Sequence, residues 1–493
     1  MKKVESGSHK GYNTNRNVSI KRKIKGEISV KKFTKLLTTA AVAALGLTVG
    51  ACGNGDSTTG NGGGETSSDV EQIVLSYANW NLGTAEENNI ERRMIAAFED
   101  AHPHVTIEVD ESIPGGNWME NLSIAASTGN LPDVFMLSDA PTSMANGWLM
   151  DISEIANANT EFNNLPTAMQ EATKLNGAVY SVPFAQFMMG FYVNRDLFND
   201  LNLDAPQQGF SMEEFEEAVR NTTDLNRPSI GVNNVESFVS WYAGAVNPNM
   251  GFFTFEDGTY NLNSDEMIEG IRVARELGQN GFAFAGLSEE QREAVFATTE
   301  APDAFRNGQV AMLFEGSWMN GDFSETLPFE WDFVGIPGGR SVLTLDILGI
   351  AQTADHPEEA LLFAQWMGHG NDGFLKRMEI AQEMGIQVSS LPISTNEDVL
   401  AAYWEKVSVP GIITAYENLD NAMIEGNKIV PGFVASRWEA TTGLSIPGTD
   451  IDNATIGQIF EQSIFGTLNF ADYATQVNEL AQQQHDQAVA AMN

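Results

Sequence analysis

The chain has 493 residues, a formal net charge of −39, 42% hydrophobic residues and one cysteine. Its length and apolar content exclude a disordered chain and leave room for two or three full cores or one large bilobed body. The lone cysteine excludes an intramolecular disulfide framework and a cysteine-rich zinc site, and the acid excess argues against nucleic acid as a partner, because phosphate binding needs a basic face. Eleven of the 27 basic residues lie in residues 1–35, and Leu36–Ala51 follows as sixteen residues without a charge. From Cys52 onward, 16 basic residues stand against 64 acidic ones, a net of −48. A membrane span needs about 20 apolar residues. The shorter run with its basic flank has the form of a secretory signal, so residues 1–51 are read as a signal peptide with a long basic N-region. Its length suggests a translation start nearer Val30.

The run ends in Val49-Gly50-Ala51-Cys52, which resembles a bacterial lipobox. The resemblance implies diacylglyceryl transfer to the Cys52 thiol and cleavage just before it. One acyl chain holds a protein to a membrane weakly, whereas two or more hold it stably. Residues 52–69 then read as a lipidated cysteine and a flexible Gly/Ser linker, with a root-mean-square span of roughly 20–25 Å.

Beyond the linker, strands and helices alternate. Ile73–Ser76 reads as a buried strand. Ile90, Met94, Ala97 and Phe98 recur at helical spacing until His102-Pro103. Val105, Ile107 and Val109 alternate as a second strand. A helix over about Met119–Ser127 and a strand Asp133–Leu137 follow. Strand–helix–strand–helix–strand implies a parallel sheet with right-handed crossovers, and ligands bind such sheets beyond the carboxyl ends of the strands. Further on, Ala178–Pro183 and Gly190–Asn194 read as strands. Ser211 with Glu214 forms a capping box, Asp257-Gly258 a hairpin turn, and Asp265–Leu277 a helix. Val310–Phe314 and Asp332–Ile336 are strand-like, and Asp355-His-Pro-Glu-Glu359 opens a helix. No repeat of fixed period occurs.

A set of motifs in this order resembles the extracellular solute-binding proteins of ABC importers, family 1, the group that includes maltose-binding proteins. The residues are Ser127-Thr-Gly-Asn-Leu-Pro-Asp133, Gly177-Ala-Val-Tyr-Ser-Val-Pro183, Phe191-Tyr-Val-Asn194-Arg-Asp-Leu-Phe198 and Phe210-Ser-Met-Glu-Glu-Phe215. Phe305-Arg-Asn-Gly308-Gln-Val-Ala-Met312, Gly316-Ser-Trp318, Val334-Gly-Ile-Pro337-Gly and His356-Pro-Glu-Glu-Ala360 complete it. The resemblance implies an α/β protein of the two-lobed periplasmic-binding-protein fold (type II), each lobe a mixed sheet flanked by helices, with a hinge between them. It puts the first lobe at 70–183 and 331–391 and the second at 184–330 and 392–493.

Sugar recognition needs aromatic planes against the C–H faces of the rings and fixed partners for the hydroxyls, since buried polar groups must be paired. Trp80 and Asn81 follow the first strand as a stacking ring beside an amide. Asp139 follows the third strand, where it suits either a cleft carboxylate or a helix N-cap. By the resemblance, Gln186 and Phe187 line the cleft past the first crossover, and Glu236, Phe238 and Trp241 contact ligand from the second lobe, unless Trp241 is a core residue. Trp318 matches a stacking position at a strand end, Trp438 another with Arg437 beside it, and Asp346 is a further polar candidate. Phe187 stands where maltose-binding proteins carry a carboxylate, which leaves the sugar unspecified.

No nucleophile elbow, zinc-protease motif or phosphate loop is present, and neither a cofactor nor a metal is implied. The reading is a non-enzymatic, monomeric receptor lipid-anchored on the outer face of the cell membrane. It captures a sugar, an oligosaccharide by preference, by lobe closure and hands it to ABC permease subunits. The competing readings are a secreted glycan-active hydrolase, which needs two positioned carboxylates, and a surface carbohydrate-binding adhesin. The charge of the mature chain further predicts a saline or alkaline habitat, since salt screens self-repulsion.

Overall fold

The computed structural model describes residues 71–493. The signal segment 1–51, Cys52 and the linker to residue 69 lie outside the described residues.

The strands are β1 (Ile73–Ala78), β2 (Val105–Val109), β3 (Val134–Leu137), β4 (Lys174–Leu175), β5 (Ala178–Val179), β6 (Val182–Asn194), β7 (Ile230–Val232), β8 (Val310–Gly316), β9 (Trp331–Phe333), β10 (Val342–Ile350), β11 (Met423–Ile424), β12 (Thr441–Leu444) and β13 (Ala454–Thr455). Nine of them form one sheet along the path β2-β1-β3-β10-β6-β8-β7, with β11 beside β10 and β9 beside β6. The parallel β1–β3 unit forms as expected, its crossovers supplied by helices Ile90–Ala101 and Trp118–Ser127. The first helix stops at His102, whose N–H bonds the Phe98 carbonyl.

The middle of the sheet departs from the expectation. Val182–Asn194 is one thirteen-residue strand where two shorter ones were expected, and Val342–Ile350 is a second long strand antiparallel to it. Both are nearly continuously apolar, as befits strands covered on both faces. The strand expected over Asp332–Ile336 ends at Phe333, because Gly335 turns the chain with φ +68°. The Asp257-Gly258 turn forms with positive φ at both residues, closing on mutual Glu256–Thr259 hydrogen bonds. The Ser211–Glu214 capping box is also present, at 2.7 and 3.2 Å.

Three apolar clusters fill the molecule. One gathers residues of 73–185 with 343–393, a second residues of 191–342 with 423–481, and a third lies around Tyr192, Phe323 and Tyr403. Two lobes thus share one sheet, and among the described residues β6 and β10 are the strands long enough to reach from one core to the other.

Candidate functional site

Strand register fixes where the two lobes meet. Leu137, the last residue of β3, pairs with Ile347 of β10, so Ser138 and Asp139 leave the sheet beside Asp346. From the other lobe Gly316, the last residue of β8, pairs with Met189 of β6, so Ser317 and Trp318 emerge beside Phe187. The carboxyl ends of strands from both lobes converge on one stretch of the crossing pair, the place where α/β sheets bind ligands.

Side chains alternate along a strand, which decides which residues face that junction. Ala185 pairs with Asp346, Phe187 with Thr344 and Met189 with Val342, so these six share one face. Gln186 lies on the other face. It is 2% exposed, its amide donates to the Pro392 carbonyl, and its backbone is tied to Ser390 and Leu391. The expectation that Gln186 and Phe187 both line the cleft is therefore corrected. Adjacent strand residues cannot share a face, and Gln186 bolts the crossing strand to the 390–392 segment.

On the Phe187 face, the Phe187 and Trp318 rings meet edge to face at 5.4 Å, and both are partly exposed. Asp346 is paired with Lys428 at 3.0 Å. Burial disfavours the Lys428 ammonium, but Asp346 and Glu425 together hold its pKa above the usual lysine value. The Lys428 carbonyl also accepts the Ala140 N–H at 2.9 Å. Two buried hydroxyls beside this pair, Ser138 Oγ and Thr344 Oγ1, have no protein partner. Five other buried side-chain atoms among the described residues share this condition, Tyr260 Oη and Ser341 Oγ among them.

Asp139 is the N-cap of helix Ala140–Ala145, accepting from the Thr142 N–H at 2.9 Å and its hydroxyl at 2.6 Å. Burial raises its pKa and the Thr142 bonds oppose the rise. Trp80 packs edge to face on Trp118, with centroids 5.3 Å apart, and the Trp118 indole N–H bonds the Met136 carbonyl. The turn carrying Trp80 is held by Asn79, which donates to the Tyr77 hydroxyl and accepts from the N–H of the exposed Asn81.

In the second lobe Phe238 and Trp241 are completely buried. Trp241 lies among Phe191, Phe215, Phe238 and Phe314, and its indole N–H is satisfied by Ser237 at 3.0 Å. Neither ring has a face free for ligand, so both are core residues and their assignment to the site is corrected. Glu236, at the loop after β7, is half-buried; burial raises its pKa while the Val235 N–H and Arg292 pull it down. Arg437 donates to Asn427 at 3.2 Å and to the Val434 carbonyl, and its guanidinium lies 5.2 Å from the Phe253 ring centroid. It braces the 425–437 segment from within. Trp438 beside it is 54% exposed.

Sequence reasoning did not single out Lys428 or Thr344 as candidates for this junction. Thr344 and Asp346 carried a signal, being the two polar residues at a spacing of two in the apolar run Val342–Ile350. Lys428 carried a fainter one, as one of four lysines after Cys52. A cavity of about 200 Å³ elsewhere, lined by Glu161, His369, Asn371 and Ser394 among others, has polar groups that largely satisfy one another: Asn371 donates to Glu161 at 2.9 Å and Ser394 to Asn371 at 2.5 Å.

Among solved structures the chain is similar to an ABC substrate-binding protein of Listeria monocytogenes in complex with cycloalternan. The TM-score is 0.64 at 20% identity, covering 84% of this chain and 99% of that one. It is similar also to the cyclic alpha-maltosyl-1,6-maltose binding protein of Arthrobacter globiformis (0.59, 17% identity, 84% and 100% covered). UgpB of Mycobacterium tuberculosis, in complex with glycerophosphocholine, is a third (0.62, 16%, 84% and 98%). No curated protein matches the sequence. These likenesses extend the two-lobed fold over nearly the whole of each solved chain. The model of the bacterial extracellular solute-binding protein family matches residues 84–368, more than half of the sequence, and the chain belongs to that family.

Proposed function

We propose that the protein is the lipid-anchored receptor of an ABC importer, which captures an oligosaccharide between its lobes and delivers it to the permease. The lobes proposed are 70–183 with 331–391 and 184–330 with 392–493; the apolar clusters support this at 73–185 with 343–367, whereas Val334, Ile336 and Val342 pack with the second cluster and Phe374, Ala381 and Val388 with the third. The observation that carries the reading is the crossing-strand face. An aromatic pair, Phe187 and Trp318, stands beside two unpartnered hydroxyls and the Asp346–Lys428 pair, which offers both an acceptor and a donor to sugar hydroxyls. Trp80, Asn81 and Asp139 would contribute from the first lobe, and Glu236 and Trp438 from the second. Ligand bridging both lobes favours the closed form by its differential affinity, and the closed form is what the permease reads. Asp346 at the junction is paired with Lys428 and Asp139 is engaged as a cap, which supports a binding role for both. Cys52 would hold the receptor on the outer face of the membrane, and no described helix is long and apolar enough to cross it.

Thermal unfolding of the soluble body with linear and cyclic gluco-oligosaccharides, monosaccharides and glycerophosphocholine tests the reading. Ligand at about 100 times its Kd stabilises by about 2.7 kcal/mol. Stabilisation by an oligosaccharide that is recovered uncleaved is the expected result. Stabilisation by glycerophosphocholine alone, by nothing, or cleavage of the sugar overturns it. Loss of membrane association in Cys52→Ser tests the anchor.

A further inference from the structure

Trp318 and Trp438 come from separate segments of the second lobe, yet each lies against a glycine. A Cβ built on Gly316 would stand 2.3–2.4 Å from Cη2, Cζ3 and Cε3 of Trp318. A Cβ built on Gly457 would stand 2.5 Å from Cδ2 and Cε3 of Trp438. Real Cβ atoms do not approach so closely, so in each case the ring rests on bare backbone. Core rings also rest on glycines, Tyr242 on Gly270 and Phe333 on Gly190, both at 2.7 Å; Trp318 and Trp438 differ from them in being partly exposed and 54% exposed. A seat without a side chain lets an indole lie back against the fold while its opposite face stays open, and an open face is what stacking on a sugar ring requires.

Backbone conformation does not demand glycine at either position. Gly316 has φ −92° and ψ 156°, ordinary extended geometry. Gly457 lies in the first turn of helix Ile456–Ile464, where alanine is the better helix former. The indole contact therefore accounts for the glycine at both places. The Glu315 carboxylate beside it accepts the Gly316 N–H at 3.0 Å. Trp318 thus sits between Gly316 and the Phe187 ring, whose centroid is 5.4 Å away with the two planes at 78°.

We propose that Gly316 and Gly457 are positioning residues that hold Trp318 and Trp438 in stacking poses. This rests on the saccharide reading above. The test measures saccharide affinity by titration calorimetry and apo stability by thermal unfolding for wild type, Gly316→Ala and Gly457→Ala. The two glycine variants are also made in Trp318→Ala and Trp438→Ala backgrounds. Gly457→Ala should melt no lower than wild type and yet bind at least about tenfold more weakly, a split that a merely structural glycine would not produce. Gly316→Ala should weaken binding comparably. Each glycine's effect should vanish once its own tryptophan is absent. Wild-type affinity in the glycine variants, or losses that add in full to those of the tryptophan variants, overturns the inference and leaves the saccharide reading standing. A wild type that responds to no saccharide overturns both.

Discussion

His369 sits at the foot of the crossing strand, and its burial carries a pH dependence that can be calculated. It lies in the Gly368-His369-Gly370 turn between helices Pro357–Met367 and Asn371–Met384, and is 1% exposed. Its Nδ1 is 3.3 Å from the Pro183 carbonyl, its Nε2 is 3.4 Å from the Gln365 amide, and the Phe162 ring flanks it. Burial lowers its pKa to about 4, with the bond to Pro183 opposing, whereas an unfolded chain holds its histidines near 6.5. Between those values the unfolded chain carries a proton that the folded chain refuses. Stability from this residue is therefore intact above pH 6.5 and is lost as pH falls toward 4. A shift of about 2.5 units is worth about 3 kcal/mol. His369→Gln removes the titration but keeps a neutral donor near Pro183. Urea unfolding at about pH 7.5, 6, 5 and 4 should give wild-type and variant stabilities whose difference shifts by about 3 kcal/mol in the variant's favour on acidification. The difference also cancels the many surface carboxylates common to both proteins. Parallel curves would refute the assignment of the proton.

Other elements make equally definite predictions. Arg377 and Glu91 form a buried two-pronged pair at 2.5 and 2.9 Å between helices Asn371–Met384 and Ile90–Ala101, so Arg377→Met strands a carboxylate and should cost about 3–5 kcal/mol in urea unfolding; adding Glu91→Gln should restore much of it. Asp346→Asn leaves Lys428 facing only Glu425 and should weaken saccharide binding by about tenfold or more, since hydrogen bonds to charged groups are worth about 1.5–3 kcal/mol. An unchanged calorimetric Kd would remove that pair from the site. With a net charge of −48 after Cys52, the body should melt higher at about 1 M than at about 0.05 M sodium chloride, the Debye length shrinking to about 3 Å at the former; a flat salt response would exclude self-repulsion as a stability term.

The elements that were legible in the sequence are those whose burial is one-sided. Helix Asp265–Gln279 and strand Val105–Val109 each show one apolar face and one polar face, and that contrast is visible as a period. Strands β6 and β10 are covered on both faces over most of their length, so no period marks them, and the molecule's central joint was read as fragments. The same two-sidedness hid the site. Trp241 and Trp318 look alike in a local window, since both follow a small residue near an element end. Only the fold buries the first among phenylalanines and leaves the second on a glycine. Lys428 reaches Asp346 across 82 positions of chain, a contact that no local pattern encodes. What local pattern did encode was the interruption: Thr344 and Asp346 break an apolar strand at a spacing of two. A polar pair with that period inside a fully buried strand costs stability unless that face opens onto something polar. Thr344 and Asp346 therefore support the proposal that ligand lies against the strand joining the two cores.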